Sequence, residues 1–206
     1  MMRLAILGAG GHGKVVADTA EACGWKEVVF FDDSWPELTR CGVWPVVGDS
    51  VCLRNTLSQF DGVVVAIGDN KTRLRITLEL QASGAKNATI VHPRANISRY
   101  AEIAAGSVIF AGVSVNAGAV VGQAAILNTG CNVDHDCLLG QGCHVSPGAS
   151  LAGAVVLGDL CWVGIGASIR HCIHIGSAVV IGAGAAVVAN VMDDVTVVGV
   201  PARRLK

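Results

Sequence analysis

The chain has 206 residues, a formal net charge of −1, 15% charged residues and 52% apolar ones. So even a balance gives no electrostatic case for nucleic acid or an anionic membrane surface as partner. The length allows one or two domains with a sizeable core, and 26 glycines against 4% aromatics suit a thin, repetitive interior.

Met1-Met2-Arg3 leads directly into a predicted strand, Arg3–Leu7, without a signal-peptide pattern, so a cytoplasmic protein is expected. The loop Gly8-Ala9-Gly10-Gly11-His12-Gly13 follows. A helix comes next, with Val15, Val16, Thr19, Ala20 and Cys23 on its apolar face and Gly24 as its C-cap. Glu27–Phe31 reads as a second strand ending at Asp32-Asp33. Pro36, Gly42, Pro45 and Gly48 mark a loop-rich stretch with one weak strand, and Asp49 caps a short helix. Gly62–Ile67 is a buried strand ending in Gly68-Asp69-Asn70. Lys71–Ser83 is a helix closed by Gly84, and Thr89–Val91 is a last short strand before His92-Pro93. Strands alternating with helices over 1–90 predict a small parallel sheet of about four strands with Rossmann-like winding, its ligand at the carboxyl ends of the strands.

Gly8, Gly10 and Gly13 match G-x-G-x-x-G between a strand and a helix, which suggests a dinucleotide site with Asp32 on a ribose. About four strands make only one mononucleotide half, however, and a dinucleotide needs two. A nucleotide-linked substrate is therefore preferred over NAD. Its phosphate would lie on the helix N-terminus, with Asp32 and Asp33 accepting from sugar or base.

From residue 91 the grammar changes. Every sixth residue from Ile97 to Val187 is aliphatic, sixteen times without a slip, and the residue two before each is small or apolar. A period of six fits neither helix nor simple alternation. It fits a chain that turns a corner every six residues, so that three hexads close a triangular coil and stacked coils share a core. Residues 95–188 make slightly over five coils, about 25 Å tall at the strand spacing. The glycines directly after the aliphatic (Gly122, Gly140, Gly158, Gly164, Gly176, Gly182) are expected to supply the unusual corner backbone.

Cys131, Cys137, Cys143 and Cys161 take the small inward slot, and no C-x-x-C pair occurs, so buried free thiols are expected rather than disulfides or zinc. Ile175–Met192 is charge-free and near the length of a membrane span. Its Gly, Ser and Asn fall at fixed hexad positions, so no transmembrane helix is expected. Gly199–Ala202 is a turn before a basic tail, Arg203-Arg204-Leu205-Lys206. Flat, weakly charged prism faces invite packing into a homotrimer.

His135 lies in Asn132-Val133-Asp134-His135-Asp136, two residues past the inward Val133, hence at or near an exposed corner between carboxylates. A carboxylate neighbour fixes an imidazole's tautomer and raises its basicity, as a general base requires. The position also fits a corner histidine without a role. His144 follows nine residues on, counted here as one and a half coils. His171 shares the slot of His135 two coils away, about 10 Å along the same face, too far for a shared metal without a third ligand.

The hexad run, the Gly10-Gly11-His12-Gly13 loop and the segment Asn128-Thr129, Asp134-His135-Asp136, His144-Val145-Ser146 and Gly153 resemble the left-handed β-helix sugar O-/N-acetyltransferases over the whole chain. These hexapeptide-repeat enzymes acetylate sialic acids or UDP-4-amino-4,6-dideoxy-sugars, the latter in bacterial protein glycosylation. The resemblance implies a Rossmann-like UDP-sugar domain (1–90) followed by an all-β left-handed parallel β-helix (91–206) that binds acetyl-CoA and carries catalysis. His135 resembles the family's base, and Asp136 the adjacent carboxylate, which is Glu in the nearest members; Asp134 competes for that role. His144, Gly153, Ile165, Gly182 and Ala183 match the acetyl-CoA track. Gly10, Gly11, His12, Asp32, Asp33, Gly68, Asp69 and Asn70 match the UDP-sugar site. The implied assembly is a homotrimer with active sites between subunits, and no metal. Sialic acid O-acetylation and a non-catalytic nucleotide-sugar-binding trimer are the alternatives.

Overall fold

A computed structural model describes residues 2–205, which divide into two compact units meeting in sequence at Pro93 and Arg94. Met1 and Lys206, the ends of the expected N-terminal segment and basic tail, lie outside the described residues.

In the first unit β1 (Arg3–Leu7) is the second strand from one edge of a sheet, with Leu4 to Leu7 all buried. It pairs in parallel with β2 (Glu27–Phe31) on one side. On the other it pairs with a strand at Gly62–Val65, the last of the sheet in chain order. The sequence predicts one weak strand between them, but there are two. β3 (Arg40–Cys41) and β4 (Trp44–Gly48) form an antiparallel hairpin over Gly42, whose φ of 64° supplies the turn. β4 then joins β2 in parallel, so with β5 (Gly62–Val65) the order is β3-β4-β2-β1-β5.

Helix α1 (Gly11–Ala22) buries Gly13, Val16, Ala17 and Ala20, the i, i+3, i+4, i+7 face of a 3.6-residue period. Val15 falls off that stripe and is exposed, contrary to the expectation, while Ala17 takes its place. Cys23 is the C-cap, with Gly24 beyond it at φ 93°. Asp49 caps α2 (Ser50–Asn55) by accepting from Cys52 N–H at 2.7 Å, and Asp69 caps α3 (Asn70–Ala82) by accepting from Thr72 N–H at 2.8 Å.

The second unit is a parallel β prism with three ladders of two-residue strands. Face one carries Asn96–Ile97, Ser114–Val115, Asn132–Val133, Ser150–Leu151, Ser168–Ile169 and Ala186–Val187. Face two runs from Glu102–Ile103 through Leu138–Leu139 to His174–Ile175. Face three holds Val108–Ile109, Ile126–Leu127, His144–Val145, Trp162–Val163 and Val180–Ile181. Ladder partners are eighteen residues apart, as Asn132 with Ser150 or His144 with Trp162. The hexad aliphatics point inward and are buried from Ile109 to Val187, as are the small slots from Ser107 to Ala185; only the first coil is half-open.

The corners differ from the sequence reading. From Ile103 to Ile181 the left-handed backbone falls three residues after each aliphatic, as at Gly112 (φ 73°), Gly130 (φ 67°) and Asp136 (φ 59°), not at the glycine directly after it. Those glycines serve close approach between coils instead: a Cβ on Gly140 would stand 2.6 Å from the backbone nitrogen of Asp159.

All eight cysteines are free. Inside the prism, Sγ of Cys137, Cys143 and Cys161 donates to the carbonyls of Ala152, Gly158 and Gly176 at 3.3, 3.2 and 2.9 Å. Burial pushes the Cys131 thiol up to about 12. Past the last coil, Thr196–Val198 and Arg203–Arg204 pair as an antiparallel hairpin, so the expected basic tail folds back as far as it is described. No helix among the described residues is long and apolar enough to cross a membrane.

Candidate active site

His135 stands at the corner after face one, its side chain 60% exposed. Its Nδ1 lies 2.8 Å from Oδ2 of Asp136, which the left-handed corner backbone turns toward the ring. Asp134 does different work: its Oδ1 accepts from the His135 main-chain N–H at 2.7 Å and from Asn116 Nδ2 at 2.7 Å. Asp136 therefore holds the ring and Asp134 holds the backbone. The Asp136 hydrogen bond, helped by the charge of Asp134, raises the imidazole above its usual 6.5. Asp134 is held below the usual carboxylate range by Asn116 and the His135 N–H.

Gly153 lies one coil on from His135, against the imidazole. Its N–H donates no hydrogen bond among the described residues. His144 is half a coil from His135, not one and a half, because a full coil takes eighteen residues; it opens a strand of face three. Its ring stacks on Trp162 with centroids 5.7 Å apart and planes within 5°. Trp162 Nε1 donates to Ser146 Oγ at 2.9 Å, and Asn128 Nδ2 lies 3.2 Å from His144 Nε2.

These side chains wall a mostly apolar groove of about 470 Å³ that continues along Ile165, Gly182 and Ala183. Four of the five residues matched to an acetyl-CoA track thus come together. Gly153 does not join them, since it belongs to the His135 corner and the groove to face three and the corner after it. Trp162 was not singled out from the sequence, although it stands eighteen residues after His144, in the same slot of the next coil.

In the first unit a cavity of about 270 Å³ lies at the carboxyl ends of β1 and β2, lined by Gly8, Asp32, Asp33, Ser50, Arg54 and Arg75. Of the expected substrate residues only Asp32 and Asp33 line it. Both oxygens of Asp32 are engaged: Oδ2 accepts from Ala9 N–H at 2.8 Å and Oδ1 from Ser34 N–H at 3.0 Å. Desolvation opposes this charge, but the hydrogen bonds from Ala9 and Ser34 hold the carboxyl below its ordinary value. Asp33 accepts from Ser50 N–H at 2.9 Å.

Gly8 is required by its φ of 110° and by the carbonyl of Ala66, 2.8 Å from where a Cβ would stand. Gly10 and Gly11 face open space and open α1, with Gly10 as a cap that makes no side-chain hydrogen bond. Gly68, Asp69 and Asn70 form a turn organised by Arg73, which is 1% exposed. Its Nη1 donates to the carbonyls of Ile67 and Gly68 at 3.0 and 3.1 Å, and its Nη2 to Asn70 Oδ1 at 2.8 Å. Burial and the nearby Arg73 charge push His12 down to about 4, so it is neutral near pH 7. Arg54 and Arg75, both paired to Glu79 (3.4 and 2.6 Å), were missed because nothing in the sequence ties α2 to α3.

Residues 3–80 match the PglD N-terminal domain. The acetyltransferase domain of PglB from Neisseria gonorrhoeae is 42% identical, with 100% of each chain covered and a TM-score of 0.95; a second structure of it holds acetyl coenzyme A. PerB from Caulobacter crescentus, in complex with CoA and GDP-perosamine, is 36% identical over 100% of this chain and 98% of its own, at a TM-score of 0.95. WeeI from Acinetobacter baumannii is 27% identical over both full chains, at 0.87. The fold held in common is a small α/β sheet followed by a left-handed parallel β-helix.

Proposed function

This chain belongs to the hexapeptide-repeat sugar N-acetyltransferases and is an acyltransferase; we propose that it moves the acetyl group of acetyl-CoA to the 4-amino group of a UDP-4-amino-4,6-dideoxy-N-acetyl-sugar, giving UDP-N,N′-diacetylbacillosamine. The observation that carries the reading is the exposed His135–Asp136 pair, joined at 2.8 Å. An ammonium cannot attack a thioester. With Nδ1–H donating to Asp136, His135 Nε2 is left as acceptor and takes the proton of the attacking amine. The nitrogen adds to the thioester carbonyl, the Gly153 N–H steadies the oxyanion, and the tetrahedral adduct expels the CoA sulfur, which receives the proton from His135. The thioester is already activated, so no covalent enzyme intermediate is needed. The interior thiols are buried inside the prism and take no part.

The apolar groove with the stacked His144–Trp162 pair supports binding of the coenzyme's pantetheine arm. The cavity at Asp33, Arg54 and Arg75, with the uncapped start of α1, supports binding of the nucleotide. On one prism the groove and the His135 corner flank opposite edges of face one. This supports a homotrimer in which one subunit's groove delivers the thioester to the next subunit's base, acting in the cytoplasm on a soluble nucleotide sugar.

The test is His135→Ala. In a folded trimer kcat should fall at least about 10²-fold, the scale of general-base catalysis. Near-normal turnover in a panel of UDP- and GDP-linked 4-amino-sugars would reject His135 as base, and the preferred member of the panel names the nucleotide.

A further inference from the structure

We propose that Gly153 is a positioning residue for the base: the space where its side chain would stand is the seat of the His135 imidazole. The inference rests on the reading of His135 as general base. An ideal Cβ on Gly153 would stand 2.5 Å from Cε1 of His135 and 3.1 Å from Cδ2, with Nε2 nearest of all. Real side-chain carbons do not approach so closely. Gly153 is not among the glycines with left-handed φ, so its backbone does not demand glycine; the imidazole does.

The ring is also held from its other nitrogen. Nδ1 is tied to Asp136 at 2.8 Å, and Asp136 fills a vacancy on the opposite side, since a Cβ on Gly118 would stand 2.5 Å from its Oδ1. The pair thus spans three successive coils, with the carboxylate over Gly118 and the imidazole over Gly153. A methyl group at 153 pushes the ring out of its seat and away from Asp136, which takes the acceptor nitrogen off its line and lowers its basicity together.

The experiment is Gly153→Ala in the full chain. Acetyl transfer should lose about 10²-fold in kcat, the cost of misplacing a catalytic group by about 1 Å, while KM for acetyl-CoA changes less than about threefold. The acid limb of the pH–rate profile should move to lower pH, and the His135 imidazole, followed by NMR, should titrate lower than in the wild type. A wild-type imidazole titration overturns the proposal whatever kcat does; accompanied by a raised KM for acetyl-CoA alone, it assigns Gly153 to the coenzyme track. A second arm needs no turnover. The drop in Tm caused by Gly153→Ala should vanish in a His135→Ala background, where the clash is gone, and an equal drop in both backgrounds overturns the seat. If His135→Ala itself turns over normally, the general-base reading fails, while the titration and Tm still judge the seat.

Discussion

The prism and the α/β unit hold their functional groups in opposite ways. At the prism corner the candidate side chains are exposed and are held by adjacent residues or lie against the next coil, as His135 does with Asp134, Asp136 and Gly153. The stability of the prism lies in its inward aliphatics and coil-to-coil amide bonds, which those side chains do not touch. In the α/β unit the polar groups near the cavity are part of the packing. Arg73 is buried on three acceptors, Asp32 has both oxygens engaged, and His12 is neutral beneath the loop. Substitutions of the exposed corner side chains should therefore change chemistry with little loss of fold, and substitutions behind the cavity at Asp32 and Asp33 should do the reverse.

The strongest way to break this contrast is His135→Ala: a large fall in Tm alongside the expected 10²-fold or greater loss of kcat would make the corner structural. Next is Arg73→Met, which strands the carbonyls of Ile67 and Gly68 and should cost about 3 kcal/mol in urea unfolding. An unchanged midpoint would move Arg73 out of the scaffold.

The buried His12 comes third. Its folded value of about 4 lies below its ordinary 6.5, so the unfolded chain binds the proton first. Its contribution is complete above pH 6.5 and is lost as pH falls toward 4, on the order of 2–3 kcal/mol by pH 4.5. Unfolding curves at pH 7.5 and 4.5 should diverge less for His12→Asn than for the wild type; equal divergence refutes the assignment. Asp136→Asn should lower the His135 titration and shift the acid limb of kcat/KM to lower pH with Tm unmoved, whereas Asp134→Asn should shift it less. The smallest expected effect is Trp162→Ala, about a tenfold weaker Kd for acetyl-CoA by calorimetry, from the loss of one half-exposed ring face.

The same contrast explains what was legible in the sequence. Within the prism a neighbour is found by counting eighteen, so the inward cysteines and the exposed His135 could be read directly. Counting also held the answer where it was misapplied: His144 is half a coil on, and Trp162 is its stacking partner. What six-residue periodicity does not encode is backbone handedness within the hexad. The glycines flanking Val121 and Leu139 were therefore given the wrong reason for being glycine. In the α/β unit the strands at Arg3–Leu7, Glu27–Phe31 and Gly62–Val65 and the Asp49 cap were legible from local pattern, whereas the second hairpin strand and the Asp69 cap were not. The cavity was not, because Arg54, Arg75 and Ser50 reach it from helices whose packing no local signal specifies. Asp69 and Asn70 looked like ligand-binding residues at a strand end; one caps a helix and the other bonds Arg73.

The eighteen-residue ladder also makes the prism a ruler. Whatever projects from a corner can be moved along the axis only in steps of one coil, about 4.8 Å, and only by inserting or removing whole coils. An insertion of six or twelve residues would keep the interior pattern but move the projecting residue to a different corner, and any insertion that is not a multiple of six would turn inward residues out. The height difference between the His135 corner and the Trp162 groove is therefore quantised. Any eighteen residues excised between His135 and Trp162 include both His144 and Gly153, so the prism cannot be shortened there without losing the groove residue and the glycine beside the imidazole.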